Sequence, residues 1–539
     1  MMRCEIIKGW GALLFLMFGG LTIPACADAS SWTAAVRDEL SNPVHPGGVD
    51  GRPFWNGNAI LFMYPPAFEF KPLGKSVGPY RFEVVGSDGR MRIFRAPLPT
   101  AALTPVWNDL PEGYTTVVCH GEKCGRPGRG IIVGTRAFWK SAAFTGDYPP
   151  PKRPIAEAAK LALYYVLDDP STKYLVEKGE PDPSFNLNSY PTKMLAAIAG
   201  ACCTIAKRDP VRKAEAVRAA RAAADWLIAN AEPKDRPLAH FPPTYRGTGN
   251  KAAQYAGEVM LVYPGLAALA YLQVHGITGE AKYLAEAEAV ASTYLRLQGK
   301  DGTWALKMRF SDGATICPNR LVPVSVMMPL FDQLYELTGK EPYRDASARA
   351  FANLERARLA TWDWEGQFED VDPNDPYQDM TFHDAASTVI YFCRKFPKDA
   401  GRMAQARELM RYIEDQFVCW EKPFVQMGYP ADTSMCDLRT WTTPCALEQY
   451  WWYNPIDSAA ARVVEAFLAL YAVERRPLDL AKAKALGEAI TRVQWNDGGI
   501  PTHWAGNETR DSIWINCHVA SARALDALSQ AIEGVAKRK

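Results

Sequence analysis

The sequence predicts a multidomain β + α protein: an N-terminal immunoglobulin-like β-sandwich followed by helical hairpins closed into an (α/α)6 toroid. Three observations predict it. Residues from about 45 to 148 are rich in Pro, Gly and alternating apolar residues, the pattern of short strands between turns. From Pro154 onward the apolar period becomes helical. The helical segments then alternate both in character and in the length of chain that joins them. The boundaries this implies are 1–27 for a targeting segment, 45–148 for the sandwich and 152–539 for the toroid.

The first segment reads as an export signal. Arg3 and Lys8 precede an apolar run from Trp10 to Ile23, and Pro24-Ala25-Cys26-Ala27 has the small-residue pattern of a cleavage site after Ala27. Ile23-Pro24-Ala25-Cys26 also reads as a lipobox with lipid on Cys26. The run is too short for a membrane span, and no later run of about 20 apolar residues follows. The expected location is periplasmic or secreted. Twelve Cys occur, and Cys4 and Cys26 precede the cleavage point, which leaves ten. In an oxidising compartment Cys119 and Cys124 are spaced to close a small loop. No paired CxxC units are present, so no metal is expected. Cys202, Cys393 and Cys517 sit in apolar helical patterns and read as buried thiols.

Strand candidates in the N-terminal portion are 59–64, 80–85, 91–94, 114–119 and 130–134, several set apart by turns such as Ser87-Asp88-Gly89. Trp107 to Tyr114 leads into a strand as in the late hairpin of an immunoglobulin-like sandwich. Tyr148-Pro149-Pro150-Pro151 makes a stiff linker.

Twelve helices are predicted beyond it, at about 154–168, 190–207, 210–231, 253–276, 279–298, 322–338, 342–358, 382–396, 400–418, 456–474, 478–495 and 516–535. Those starting at 190, 253, 322, 382, 456 and 516 are small and apolar, as in Ala196 to Cys203. Those between them carry charged stripes, as in Val211 to Arg218. An all-round apolar helix is buried and an amphipathic one lies outside, which gives an inner and an outer ring. Inner-to-outer connections are a few residues long, whereas outer-to-inner connections run about 20 residues or more. In an antiparallel array all the long loops then fall on one face, and loops this long are functional devices in compact domains. Gln298-Gly-Lys-Asp-Gly-Thr-Trp304 and Gln494-Trp-Asn-Asp-Gly-Gly-Ile500 occupy matching places after outer helices, a degenerate repeat that supports the array.

With six such hairpins the chain, over residues 45–535, resembles the six-hairpin glycosidase superfamily of carbohydrate-active enzymes, in which a β-sandwich often precedes the toroid. The repeat also resembles one found in terpene cyclases, but no D-x-D-D motif accompanies it. The resemblance implies a glycan-processing enzyme without a diffusible cofactor.

The long loops supply the candidate site. The first offers Asn186, Asn188 and Tyr190. The second offers His240, Tyr245, Arg246 and Asn250, with Tyr255 and Glu258 one to two turns into the following helix. The third offers Trp304, Arg309, Asn319 and Arg320. The fourth, Trp362 to Asp384, concentrates Trp364, Glu365, Glu369, Asp370, Asp379, His383 and Asp384. The fifth offers Trp441, Tyr450, Trp451, Trp452, Tyr453, Asn454 and Asp457. The sixth offers His503, Trp504, Asn507, Asp511, Trp514 and Asn516. Sugars present C–H faces to aromatic rings and hydroxyl edges to amides, guanidinium groups and carboxylates. Any one of these aromatics taken alone is more often core than platform; their collective placement is what points to a glycan. Glycosidic hydrolysis needs one protonated and one ionised carboxyl group across the bond. The expected pair is Glu369 or Asp370 with Asp384, although Asp384 also suits a helix cap. The substrate-binding set is Asn188, Tyr190, Asn250, Tyr255, Glu258, Trp364, His383, Trp451, Tyr453, Asp457, His503 and Trp504.

Two alternatives stay open. His240, Tyr245 and Arg246 are the residue types of a polysaccharide lyase or uronyl epimerase, which moves a proton beside a uronate. A non-catalytic glycan-binding scaffold would present the same surface without turnover. The formal charge of +1, with acids and bases interspersed, points to no nucleic-acid partner.

Overall fold

The computed structural model describes residues 29–40, 55–74, 77–123, 126–318, 320–366, 377–421, 442–450, 453–504 and 509–537. The expected signal segment 1–27, with Cys26, lies outside them, as do Cys124, Asn319, Glu369, Asp370, Trp441, Trp451, Trp452 and Asn507. A first helix, α1 (Ala29–Glu39), precedes the strands.

The strand-rich portion is β1 (Leu61–Phe62), β2 (Ala67–Glu69), β3 (Val77–Val85), β4 (Met91–Ala96), β5 (Thr100–Ala102), the single turn α2 (Thr104–Trp107), β6 (Gly113–Lys123) and β7 (Arg126–Lys140). All five expected strands are present, but the expected immunoglobulin-like sandwich is not what the described residues make. They form one five-stranded sheet of order β1-β7-β6-β3-β4, with β2 and β5 as a separate two-stranded ladder. The reason lies in pairing length. β6 and β7 stay paired from Gly113↔Lys140 to Lys123↔Arg126, and β3 lies along β6 from Val77 to Val85. Strands that a sandwich would divide between two sheets are therefore held in one. Alternation buries Tyr80, Phe82 and Val84 on one face of β3. Cys119 falls inside the continuous β6, buried and in no disulfide. Its expected disulfide partner, Cys124, lies outside the described residues.

The helices follow in chain order: α3 (Ile155–Asp168), α4 (Pro170–Lys178), α5 (Pro191–Arg208), α6 (Lys213–Ala229), α7 (Val262–Thr278), α8 (Ala281–Leu297), α9 (Val324–Thr338), α10 (Glu341–Arg356), α11 (Arg358–Thr361), α12 (His383–Lys395), α13 (Ala400–Phe417), α14 (Asp457–Glu474), α15 (Pro477–Val493) and α16 (Ile515–Ala536). Four short strands sit in the connections: β8 (Glu258–Met260), β9 (Lys307–Arg309), β10 (Val418–Cys419) and β11 (Cys445–Ala446).

Each inner helix packs on the next. α5 meets α7, then α9, α12, α14 and α16 follow in turn, and α16 returns to α5. The last inner helix thus closes on the first, and the expected toroid is formed. Small side chains permit the close approach: Ala199, Ala201, Cys202 and Cys203 on α5 are all buried. Inner helices stop abruptly because α7 and α9 end on Gly279 and Gly339 in the left-handed conformation. One inner helix begins later than expected. Residues 253–261 are turns and β8 rather than the start of α7. Gly257 at φ 83° interrupts helix there, and β8 pairs with β9 instead. Tyr255 and Glu258 therefore stand in the loop, not one to two turns into a helix. The short helix α4, capped by Asp169 and opened by Pro170, stands in the first long connection.

The Gln-x-x-Asp-Gly repeat is a structural clasp. Gln298 Nε2 donates to the carbonyls of Gly302 at 2.9 Å and of Ala346 in α10 at 3.0 Å. Gln494 Nε2 does the same to Gly498 at 3.1 Å and to Ala158 in α3 at 3.0 Å. Each outer helix is tied in this way to the next one around the ring. Gly302 (φ 89°) and Gly498 (φ 102°) are required twice over. Their φ is left-handed, and a Cβ would run into the backbone oxygen of Arg349 or Leu161 respectively.

The sheet is bolted to the toroid by Asp415 at the end of α13. Its Oδ1 accepts the Met63 and Tyr64 N–H groups at 2.6 and 2.7 Å. Burial raises this carboxyl to about 7, against the pull of those hydrogen bonds. Among the described residues no helix is long and apolar enough to cross a membrane.

Candidate active site

The six long loops are joined edge to edge. Arg246 N–H donates to Ser189 O at 2.8 Å, linking the second loop to the first. β8 and β9 pair the second with the third. Arg320 of the third forms a close ion pair with Glu365 of the fourth. Thr381 bridges to Gln449 and Ile456 to His503, joining the fourth, fifth and sixth. Tyr190 stacks on Trp514 at 5.4 Å, so the sixth meets the first. The long loops therefore form one rim around the N-terminal ends of the inner helices.

One side of this rim is aromatic. Trp514, Tyr190, Tyr245 and Tyr255 follow one another with ring centroids 5.4, 6.0 and 5.5 Å apart. Lys193 Nζ lies 4.2 Å from the Trp514 ring and Lys307 Nζ 4.1 Å from the Tyr255 ring, so an ammonium group flanks each end.

The other side is acidic. The stem of the fourth loop folds back on itself, with Glu365 bridged to Met380 and Gly366 N–H donating to Asp379 O at 2.8 Å. Glu365 and Asp379 are each 3% exposed. Burial lifts the Glu365 carboxyl to about 7 against the Arg320 charge, with Asp363 pushing it further up. Burial lifts Asp379 to about 7 as well, again against Arg320. Asp384, in the first turn of α12, accepts a short hydrogen bond from Ser325 Oγ and has Arg358 Nε at 3.5 Å; burial raises it too. On this side Trp364 Nε1, Glu365 Oε1, Asp379 Oδ1, Asp384 Oδ2 and Gln449 Oε1 are buried without a protein hydrogen bond, as are Trp504 Nε1 and Asn516 Oδ1 of the sixth loop and atoms elsewhere in the protein. Water or a ligand oxygen can meet atoms of this kind.

The remaining expected residues fall as follows. His383 opens α12 stacked on Phe382 at 4.6 Å, and burial with the Arg462 and Lys193 charges lowers it to about 3, so it is neutral at ordinary pH. Asp457 opens α14 and accepts from Ser521 Oγ at 3.0 Å. Tyr453 stacks on Tyr450 at 5.6 Å. Asn250 accepts from Asn186 at 3.3 Å, and Glu258 stands opposite Arg309 in the β8–β9 ladder. Asn188 is turned into its own loop, donating to Ser171 Oγ and Asp182 O at 3.1 and 2.9 Å. Trp304 is core, its Nε1 donating to Tyr294 O at 2.8 Å. The His240, Tyr245 and Arg246 group is not brought to one point. His240 Nδ1 is 2.9 Å from Glu286 on outer helix α8, and the Arg246 guanidinium lies 5.0 Å from the Trp226 ring on outer helix α6.

Glu365 stands among the densest candidate carboxyls of the sequence but outside the expected pair, whereas Asp379 and Arg320 are legible only as loop residues. The signal was the stem: Trp362-Asp-Trp-Glu365 and Asp379-Met-Thr-Phe382 alternate aromatic, acid and apolar residues on two arms able to pair. Weighting the tip, where acids are densest, passed over it.

No family model and no curated sequence matches the chain. Solved structures do. Cellobiose 2-epimerase from Spirochaeta thermophila DSM 6192 aligns at TM-score 0.50 and 14% identity, over 72% of this chain and 100% of that one. A family 76 glycoside hydrolase from a bovine Bacteroides thetaiotaomicron strain aligns at 0.45 and 13%, over 84% and 94%. An unsaturated glucuronyl hydrolase specific for heparin aligns at 0.42 and 13%, over 70% and 98%. At such identities the likeness is one of fold. The chain has the six-hairpin (α/α)6 toroid, and these neighbours are carbohydrate-active enzymes.

Proposed function

We propose that the protein is an exported carbohydrate-active enzyme, a glycoside hydrolase that cleaves a polysaccharide or oligosaccharide at the loop rim. Glu365 is the proton donor, and Asp379 or Asp384 supplies the second carboxyl group. The observation that carries this reading is a pair of buried carboxyls on one loop stem, both lifted to about 7 and both with an unbonded oxygen. A carboxyl held protonated near neutrality is what a leaving glycosidic oxygen requires. Opposite, Tyr190, Tyr245 and Tyr255 form a buried cluster under Trp514 that braces the rim. Glu369 and Asp370 stay candidates for the same chemistry from the tip of that loop. The elimination or epimerisation alternative rests on His240, Tyr245 and Arg246, two of which are engaged with outer helices.

The test is incubation of the mature protein with a glycan panel that includes uronate polymers. New reducing ends are read alongside absorbance near 235 nm, the signature of an unsaturated uronate. Reducing ends without absorbance, lost about 10²–10⁴-fold in Glu365→Gln, are expected, and the wild-type rate should fall as pH rises through about 7. Absorbance would establish elimination, and binding without turnover would establish a scaffold. The mass of the mature N-terminus separates cleavage after Ala27 from lipid on Cys26.

A further inference from the structure

A second recess opens at the opposite end of the toroid. It holds about 500 Å³ and is lined by Thr204, Lys207 and Arg208 of α5, Glu465 of α14, and Arg523 and Asp526 of α16. These three helices are consecutive in the inner ring, and the recess lies at the C-terminal end of α5 beside the middle of α14 and α16, away from the loop rim.

Its charges are not balanced. Asp526 Oδ2 is committed to Arg208 Nη2 at 3.3 Å and to Gln530 Nε2 at 2.7 Å. Glu465 Oε2 accepts from Arg462 Nη1 at 2.9 Å. Among the described residues, Lys207 and Arg523 have no carboxylate within ion-pair distance. Lys207 in the last turn of α5 complements the helix dipole there. Arg523 stands midway along α16 and is exposed, as Lys207 and Arg208 are. Its guanidinium lies towards α5. A Cβ on Gly200 of α5 would stand 4.0 Å from Arg523 Nη1 and 3.3 Å from Gln273 Oε1. Gly200 is a helix-interior glycine, ordinarily unfavourable, and it clears the space the guanidinium approaches.

We propose that this recess binds a small oxyanion of the phosphate type. The Arg523 fork and the Lys207 ammonium neutralise it, and Arg208 is held on Asp526 at the edge. Thr204 Oγ1 donates to Gly200 O at 3.1 Å, which leaves its lone pairs to accept from a protonated phosphate oxygen. The site is independent of the chemistry at the loop rim.

Calorimetric titration of the full chain with inorganic phosphate at low ionic strength tests this, with malonate as the carboxylate arm and sodium chloride as the screening control. One saturable phosphate site is expected, weakening as salt rises. Removing one cation at contact range should weaken it about tenfold or more, in Arg523→Gln and in Lys207→Gln alike. Arg523→Lys should retain part of the affinity. Absence of saturable phosphate binding would overturn the proposal. So would equal affinity in wild type and in the double Gln variant, provided its circular dichroism is unchanged. Tighter binding of malonate than of phosphate would overturn the phosphate assignment.

Discussion

Replacing Lys482 by Met tests the most deeply buried charge network outside the site. Lys482 on α15 is 2% exposed, and its Nζ donates to Glu414 Oε2 of α13 and Glu39 Oε2 of α1, each at 2.8 Å. Glu414 is 3% exposed and also accepts from Trp420 Nε1 at 2.9 Å. Arg476 holds Glu39 from the other side. Burial already pushes the Glu414 carboxyl upward against the pull of Lys482, and without that ammonium it rises further. Two charge-assisted hydrogen bonds vanish and one buried carboxylate loses its counter-ion, which sets the loss at about 3–5 kcal/mol at pH 7. The sign of the pH dependence follows. A carboxyl whose folded pKa is raised binds more protons folded than unfolded, so stability falls as pH climbs above its unfolded value. Lys482 itself titrates well above this range and contributes a constant amount. The deficit of the variant should therefore be largest near pH 8 and shrink towards pH 5. Urea melts followed by tryptophan fluorescence across that range measure it. A loss below about 1 kcal/mol, or one that does not change with pH, would refute the reasoning. Lys482→Met combined with Glu414→Met should recover most of the loss, because an apolar pair leaves no charge stranded.

Three other outcomes are expected. Gly498→Ala must place a Cβ against the Leu161 oxygen at φ 102°, and strain plus overpacking should cost about 2–5 kcal/mol in thermal or urea melts. Asp415→Ala strips the acceptor from two buried backbone N–H groups at the sheet–toroid junction. It should lower stability by about 2–5 kcal/mol, and limited proteolysis should release the sheet first. Asp379→Asn removes a carboxyl raised to about 7. Wild type should gain stability on acidification from pH 8 to 6, and the variant should gain less, as paired urea melts would show.

Which features were legible depended on how local their causes are. The alternation of apolar and striped helices and the alternation of short and long connections predicted an inner ring, an outer ring and loops on one face, and the helices formed within a few residues of the expected spans. The exception is informative. Residues 253–261 carry a helical composition, but Gly257 and the pairing of β8 with β9 override it. The sandwich expectation exceeded its basis in the same way. Strand positions follow from alternation, but whether strands share one sheet depends on how far β6 and β7 stay paired.

The chemistry at the rim was less legible. Density of acids along the chain points to Glu365, Glu369, Asp370 and Asp384 alike, yet what lifts a carboxyl towards neutrality is removal from water, which residue spacing does not report. Glu365 is buried by the fold-back that brings Met380 beside it, and that burial outweighs the opposing charge of Arg320, 45 residues away on the neighbouring loop. Asp384 meets Ser325 of α9 across 59 residues.

The sequence by itself determined the hairpin order, the ring and the face on which the long loops gather, because periodicity and connection length act between neighbours along the chain. The tertiary structure alone decided that β1, β7, β6, β3 and β4 share one sheet, with β2 and β5 in a separate ladder. It also decided that the repeated Gln-x-x-Asp-Gly segments clasp adjacent outer helices, and that Glu365 and Asp379 are among the carboxyls withdrawn from water. Each of these depends on burial and partners contributed by distant segments, and those come into being only when the ring has closed.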